Sequence, residues 1–198
     1  MSTPDCGLIV FLRLPVKGKV KTRIAATAGA DNALKIYSQL IAITLDLASS
    51  LDIPVYLFYE GGLPGEKHES SFYYFEQVDG DLGRKMKSAI QLILQKHSKA
   101  IIIGSDCPEL SARDIQEAIH QLERQDFVIG PATDGGFYLL ACKKFLPGMF
   151  DDVQWSTPQV RESLIKNIQA AGRSYHQLRM LHDIDVEEDW IRYSRSNP

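Results

Sequence analysis

The sequence predicts an α/β fold, a three-layer α/β/α sandwich around a mostly parallel mixed sheet. Short β-branched or aromatic apolar runs alternate with segments whose apolar residues recur every three or four positions, the pattern of repeated strand–helix–strand units. At least one run, Ala100–Ile103, has no polar alternation, as a strand buried on both faces requires. No internal repeat, low-complexity tract or Pro/Gly-rich linker divides the 198 residues, so residues 1–198 read as a single domain.

The elements follow in order. Gly7–Leu12 (GLIVFL) is the first strand. From Asp31, Leu34, Tyr37, Ile41, Leu45 and Ala48 fall at helical spacing. Pro54–Tyr59 is the second strand, Gly61–Ser71 a polar loop and Phe72–Phe75 a short third strand. Leu82, Met86, Ile90, Ile93 and His97 mark the next helix, and Ala100–Ile103 a central strand. Ser111 with Asp114 three residues on is a capping box ahead of Ile115, Ala118, Ile119 and Leu122. Phe127–Gly130 and Phe137–Cys142 are strands flanking an Asp-Gly-Gly turn. Thr157-Pro158 reads as an N-cap with proline at the first helical position, opening a helix through Val160, Leu164, Ile168 and Ala171 that stops at Gly172. A last strand spans Tyr175–Leu181, before an acidic segment and a short terminal helix.

Composition narrows the function classes. At 44% hydrophobic and 24% charged, the chain is neither disordered nor membrane-like. Cys6, Cys107 and Cys142 are odd in number, widely spaced and contain no C-x-x-C pair, which speaks against a disulfide framework or structural zinc and points to a reducing cytoplasm. The apolar run at residues 7–12 is too short for a signal peptide or a membrane span, and Asp5 precedes it instead of a basic segment. With 22 basic and 25 acidic side chains, the balance of −3 speaks against nucleic acid as a partner. The oligomeric state is not legible.

Four polar clusters each directly follow a predicted strand: Arg13–Arg23, Gly104–Leu110, Pro131–Gly136 and His182–Asp189. In an open α/β sheet ligands bind outside the carboxyl ends of the strands, so clusters at that one edge describe a site. The first holds five cations and no acid. Gly18 permits close backbone approach, and Arg13, Lys17, Lys21 and Arg23 can clamp phosphate oxygens, with a solvated basic loop as the plain alternative. Neither a Walker A loop nor G-x-G-x-x-G occurs. In the second cluster Asp106 sits three residues beyond the buried run, a natural Mg2+ or Mn2+ ligand or else a turn former. Asp134, with Gly135 and Gly136, either faces an acceptor as contact or general base or simply makes the turn. In the fourth, strand alternation would set Asp183 and Asp185 on one face, where their repulsion favours a shared cation. Asp79–Lys85 is a Gly-rich lead into a helix that could touch base or ribose, with Asp81 equally explained as an N-cap. Trp155, Ser156 and Thr157 are candidates to line an acceptor pocket.

These motifs, in one order over nearly the whole chain, resemble a family: Arg13-Leu-Pro-x-x-Gly-Lys-Val-Lys-Thr-Arg23, Gly80-Asp-Leu-Gly83, Ile103-Gly-Ser-Asp-Cys-Pro108, Gly130-Pro-Ala-x-Asp-Gly-Gly-Phe-Tyr138, Trp155-Ser-Thr157 and Asp183-Ile-Asp185. Together they look like the small GT-A-like nucleotide-diphospho-sugar transferases of the arsenosugar-biosynthesis type, similar in fold to the guanylyltransferase that activates phospholactate. The resemblance implies a nucleotide-diphospho-sugar donor. It implies Asp106, Asp183 and Asp185 as ligands of Mg2+ or Mn2+, with Lys21 and Arg23 holding phosphates. Nucleotide contacts are expected from Arg13, Pro15, Lys17, Gly18, Asp81, Gly83, Lys85 and Ser105, and acceptor contacts from Asp134 to Gly136 and Trp155 to Thr157. Two positions depart from the family pattern: Lys85 stands where arginine is usual, and Val186-Glu187 where Thr-Pro is usual.

The expectation is a metal-dependent glycosyltransferase acting on a small-molecule acceptor, with Asp134, Lys21 and Arg23 as its catalytic groups. The alternative is a nucleotidyltransferase joining a nucleoside triphosphate to a phosphorylated small molecule. A haloacid-dehalogenase-type phosphohydrolase fits poorly, because Asp183-Ile-Asp185 is C-terminal rather than after the first strand. A non-catalytic nucleotide-binding module is the remaining rival.

Overall fold

The computed structural model of the protein describes residues 5–65 and 70–196. Its seven strands are β1 (Cys6–Arg13), β2 (Val55–Glu60), β3 (Tyr73–Glu76), β4 (Lys99–Ile103), β5 (Phe127–Pro131), β6 (Phe137–Cys142) and β7 (Tyr175–Gln177). They form one sheet in the order β3-β2-β1-β4-β6-β5-β7. Only β6 runs against its neighbours β4 and β5, and every other pairing is parallel.

Alternation along the strands splits the core between the two faces. Leu8, Val10 and Leu12 of β1 and Ile101 and Ile103 of β4 point to one side. There they meet Leu45 and Ala48 of α2 (Ala30–Ser49), Ile115 and Ala118 of α4 (Ala112–Gln121) and Leu122 at its C-cap. Ile9, Ala100 and Ile102 point to the other side, covered by Met86, Ala89, Ile90 and Ile93 of α3 (Leu82–Leu94) and Leu164 and Ile168 of α5 (Val160–Ala170). Helices on both faces of the sheet are the three layers the sequence predicts. A small third cluster joins α1 (Thr22–Ala28) and α2 to Ile184 and, through Trp190 and Tyr193, to α6 (Glu187–Ser196). Among the described residues no helix is long and apolar enough to cross a membrane.

Three local readings change. The stretch between the cation run and Asp31 contains its own helix, α1, whose N-cap Lys21 takes a left-handed backbone with φ 45°. Thr157 does not cap α5: its hydroxyl donates to the Gln154 carbonyl at 2.7 Å, and the helix begins at Val160. The Arg161 amide, in the first turn of α5, donates instead to the Gly135 carbonyl at 3.0 Å, so the neighbouring loop does what a capping side chain would. Residues 182–185 are irregular rather than strand. Ile184 is buried while Asp183 and Asp185 line the cavity described below, so alternation survives without the strand. The capping box at Ser111 and Asp114 forms.

The topology explains where the polar clusters meet. β1, β2, β4, β5 and β7 all end at the same edge, and β6 starts there. The segments following β1, β4 and β7, together with the β5–β6 turn, therefore converge at one side of the sheet.

Candidate functional site

A cavity of about 960 Å³ opens at this edge, toward the upper end of the size of small-molecule sites. Arg13, Lys21 and Arg23 from the basic segment line it, with Lys85 of α3 and Ser105 and Asp106 after β4. Asp134 and Gly136 of the β5–β6 turn, the Trp155–Thr157 segment, and Asp183 and Asp185 complete the wall. Pro15, Lys17, Gly18, Asp81, Gly83 and Gly135 do not line it. Lys17 is exposed and pairs with Asp31 at 2.7 Å. Gly18 (φ 77°) opens onto space with nothing within 4 Å of a would-be Cβ. Asp81 caps α3, accepting from the Arg84 amide at 2.8 Å. Gly83 and Gly135 act from beneath: a Cβ on Gly83 would stand 2.9 Å from the Trp155 ring, and one on Gly135 only 2.1 Å from the Pro158 carbonyl oxygen.

The basic and acidic segments are joined by ion pairs along the cavity wall. Lys21, its side chain only 7% exposed, reaches Asp106 at 2.8 Å and donates to the Ile184 carbonyl at 2.6 Å. Arg23 pairs with Asp185 at 2.9 Å. The Ile184 amide donates to the Asp106 carbonyl at 2.8 Å, tying the two acidic segments through their backbones. Burial pushes the Asp183 carboxyl up to about 7, helped by the neighbouring Asp134, Asp106 and Asp185 carboxylates and opposed by a hydrogen bond from the Cys107 thiol. The Cys107 thiol itself is raised by burial and by Asp183, which makes it a donor rather than a thiolate nucleophile. Asp134 accepts from the Gly136 amide at 2.7 Å, so it shapes its turn and also faces the cavity.

Among the described residues no group of three His, Cys, Asp or Glu side chains forms a ready-made metal cage. Asp106, Asp183 and Asp185 nonetheless share one wall, and their mutual repulsion is relieved only in part by Lys21 and Arg23. Mg2+ is held by one or two carboxylates, with substrate phosphates and water completing its shell. The donor set thus suits a divalent cation arriving with phosphates.

Three lining residues carry no sequence signal of their own. The Tyr37 hydroxyl, on the buried face of α2, accepts from the Arg13 amide at 2.8 Å and also bonds Ser105, linking the segments after β1 and β4. Glu60, the last residue of β2, pairs with both Arg13 and Lys85. Gln77, just past β3, donates its amide to the Phe58 and Leu12 carbonyls at 2.9 and 3.2 Å. Only their positions at strand ends, visible once the strand order is known, could have singled out the last two.

A family profile described as "Uncharacterized protein conserved in bacteria (DUF2064)" matches residues 44–157. The chain belongs to the DUF2064 family. The matched stretch takes in part of the cavity wall, from Glu60 to Thr157, while the basic segment and Asp183 and Asp185 lie outside it. This DUF2064 chain superposes on a crystal structure from Desulfovibrio desulfuricans, provisionally named a nucleotide-diphospho-sugar transferase, with a TM-score of 0.89 and 28% identity over 98% of this chain and 87% of that one. A curated relative, 2-phospho-L-lactate guanylyltransferase of Methanocaldococcus jannaschii, is 23% identical over 141 residues, which are 70% of this chain and 62% of that protein. The match therefore spans less than two thirds of the relative's length. The fold is shared with a 4-diphosphocytidyl-2C-methyl-D-erythritol synthase from Anaerococcus prevotii, at 12% identity and a TM-score of 0.61 over 96% of this chain and 95% of that one.

Proposed function

We propose that this DUF2064 chain is a nucleotidyltransferase, joining a nucleoside triphosphate to a phosphorylated small molecule and releasing pyrophosphate. The observation that carries the reading is the pairing of Lys21 with Asp106 and of Arg23 with Asp185 on one cavity wall, which offers cations to phosphate and carboxylates to a divalent ion within one ligand's reach. The likeness to a guanylyltransferase in sequence favours nucleotidyl over glycosyl transfer. The glycosyl-transfer reading expected from the motifs keeps the support of the Desulfovibrio desulfuricans relative.

In the proposed step an oxygen of the acceptor phosphate attacks the α-phosphorus. The bond from that phosphorus to the bridging β-phosphate oxygen breaks, and pyrophosphate leaves with the electron pair. Lys21 and Arg23 neutralise charge as it moves onto the leaving oxygens, a contribution that acts most strongly in a site shielded from water. A Mg2+ or Mn2+ ion held by Asp106, Asp183 and Asp185 would supply further neutralisation. The acceptor phosphate, with a second pKa near 6, is already ionised at neutral pH and needs no general base. Asp134 and the Trp155–Thr157 wall then orient the acceptor.

The test is product analysis. Each nucleoside triphosphate is incubated with Mn2+ and 2-phospholactate or a related phosphorylated acid, and pyrophosphate is measured. In parallel, sugar nucleotides with hydroxyl acceptors are assayed for nucleoside diphosphate. Pyrophosphate that depends on the acceptor is the expected result, and nucleoside diphosphate from sugar nucleotides alone would overturn the proposal.

A further inference from the structure

We infer that Glu60 and Gln77 form a base-reading edge that selects a guanine nucleotide. The inference rests on the nucleotidyltransferase reading and deepens it by naming the base. With phosphates at Lys21 and Arg23 and the acceptor at Asp134 and Trp155, the remaining end of the cavity is lined by Phe11, Glu60, Gln77, Leu82, Lys85 and Met86. Apolar Phe11, Leu82 and Met86 can lie against a flat ring, and Glu60 and Gln77 are the hydrogen-bond acceptors among these side chains.

The two acceptors are held side by side. β2 and β3 pair in parallel register to Tyr59 opposite Glu76, and the Gln77 amide continues the ladder onto the Tyr59 carbonyl at 2.9 Å. Glu60 and Gln77 are thus the next pair along. They lie on the side of the sheet where Phe58 stacks on Phe75 and α3 packs. Gln77 cannot turn its amide freely. Its nitrogen donates to Leu12 and Phe58, carbonyls that can only accept, so Oε1 is its remaining polar atom and it is an acceptor. Glu60 bonds Lys85 through one oxygen and Arg13 through the other, and each oxygen keeps a lone pair. The Lys85 ammonium also holds the Glu60 carboxyl below the usual carboxylate range, so it stays an acceptor at neutral pH.

Two adjacent acceptors match a base edge with two adjacent donors. Guanine presents N1–H beside its 2-amino group. Adenine and cytosine set a single amino group beside a ring-nitrogen acceptor, and uracil flanks one N–H with two carbonyls. Each of these would aim a lone pair at Glu60 or Gln77.

The experiment is calorimetric binding of GTP, ITP, ATP, CTP and UTP to the full chain with Mn2+. ITP differs from GTP only in lacking the 2-amino group, so the comparison needs no variant that could fail to fold. GTP is expected to bind tightest and ITP about tenfold more weakly, the effect of one lost hydrogen bond at a charged or fully used partner. Glu60→Leu, which takes one acceptor away, should narrow the gap between GTP and the other triphosphates. Equal binding of GTP and ITP, or tighter binding of CTP, ATP or UTP, overturns the base assignment while leaving nucleotidyl transfer standing. Absence of binding by every triphosphate overturns the nucleotidyltransferase reading and the base assignment with it.

Discussion

The Lys21 ammonium lies 2.8 Å from the Asp106 carboxylate, joining the segment after β1 to the segment after β4 at the cavity wall. Each group meets its natural counter-charge in the other, so phosphate and a divalent cation must each share a partner already engaged. Asp106→Asn removes one of the carboxylates proposed for the cation and loosens Lys21 together. Turnover should fall about 100-fold or more, in line with the loss of one charge-stabilising contact, and the Mn2+ needed for half-maximal rate should rise. Chelation of the metal should abolish wild-type turnover. Steady-state rates across a metal titration check both.

Asp134 separates the two chemistries. A phosphate acceptor needs no proton removed, whereas a hydroxyl acceptor does, and loss of a general base costs about 100- to 10,000-fold. Under nucleotidyl transfer Asp134→Asn should change kcat by less than about tenfold, because asparagine can still accept from the Gly136 amide and keep the turn. The kcat of this variant with each acceptor class is the measurement.

Gly135 has a left-handed backbone, φ 91°, and sits beneath Pro158 so closely that a methyl group would strike the Pro158 carbonyl. Gly135→Ala should destabilise the protein by about 2 kcal/mol or more, from backbone strain plus displacement of the 155–158 segment. For a chain of this size that lowers Tm by about 4–8 °C. Calorimetry of the purified variant tests it, and Gly18→Ala, also left-handed but in open space, should cost less.

Asp114, buried at the start of α4, has its carboxyl pushed up by burial. The Arg179 guanidinium at 2.7 Å and the Ser111 hydroxyl and amide outweigh that and hold it below its ordinary value. The unfolded chain, with a carboxyl near 3.9, then binds more protons than the folded one at acidic pH. The stability from this carboxylate is complete above about pH 4 and is lost as the pH falls through the folded value. Asp114→Asn should lower Tm at pH 7, and its gap to wild type should close below about pH 4. Thermal melts from pH 3 to 7 measure the gap.

Much of the fold was legible because strand and helix periods are strong signals and because β1 and β4 each carry an apolar run with no polar alternation. Lys21, Arg23, Asp106, Asp183 and Asp185 were legible because each lies in a dense polar cluster after a strand. Other features depend on context. The helix α1 begins where a run of cations ends, and the first turn of α5 meets the Gly135 carbonyl while the Thr157 hydroxyl turns to Gln154. Glu60 and Gln77 are single polar residues whose neighbourhood depends on which strands lie side by side, and that order is set by tertiary packing.

Asp183 and Asp185 follow the last strand, yet Arg23, which pairs with Asp185, and Lys21, which holds the Ile184 carbonyl between them, follow the first. During synthesis the amino-terminal cations therefore emerge long before the acids that meet them. A nascent chain halted before Leu181 could assemble most of its sheet and still lack two of the three carboxylates proposed for the metal. Competence would thus arrive late, with the final segment, and partial products from the ribosome would be catalytically silent.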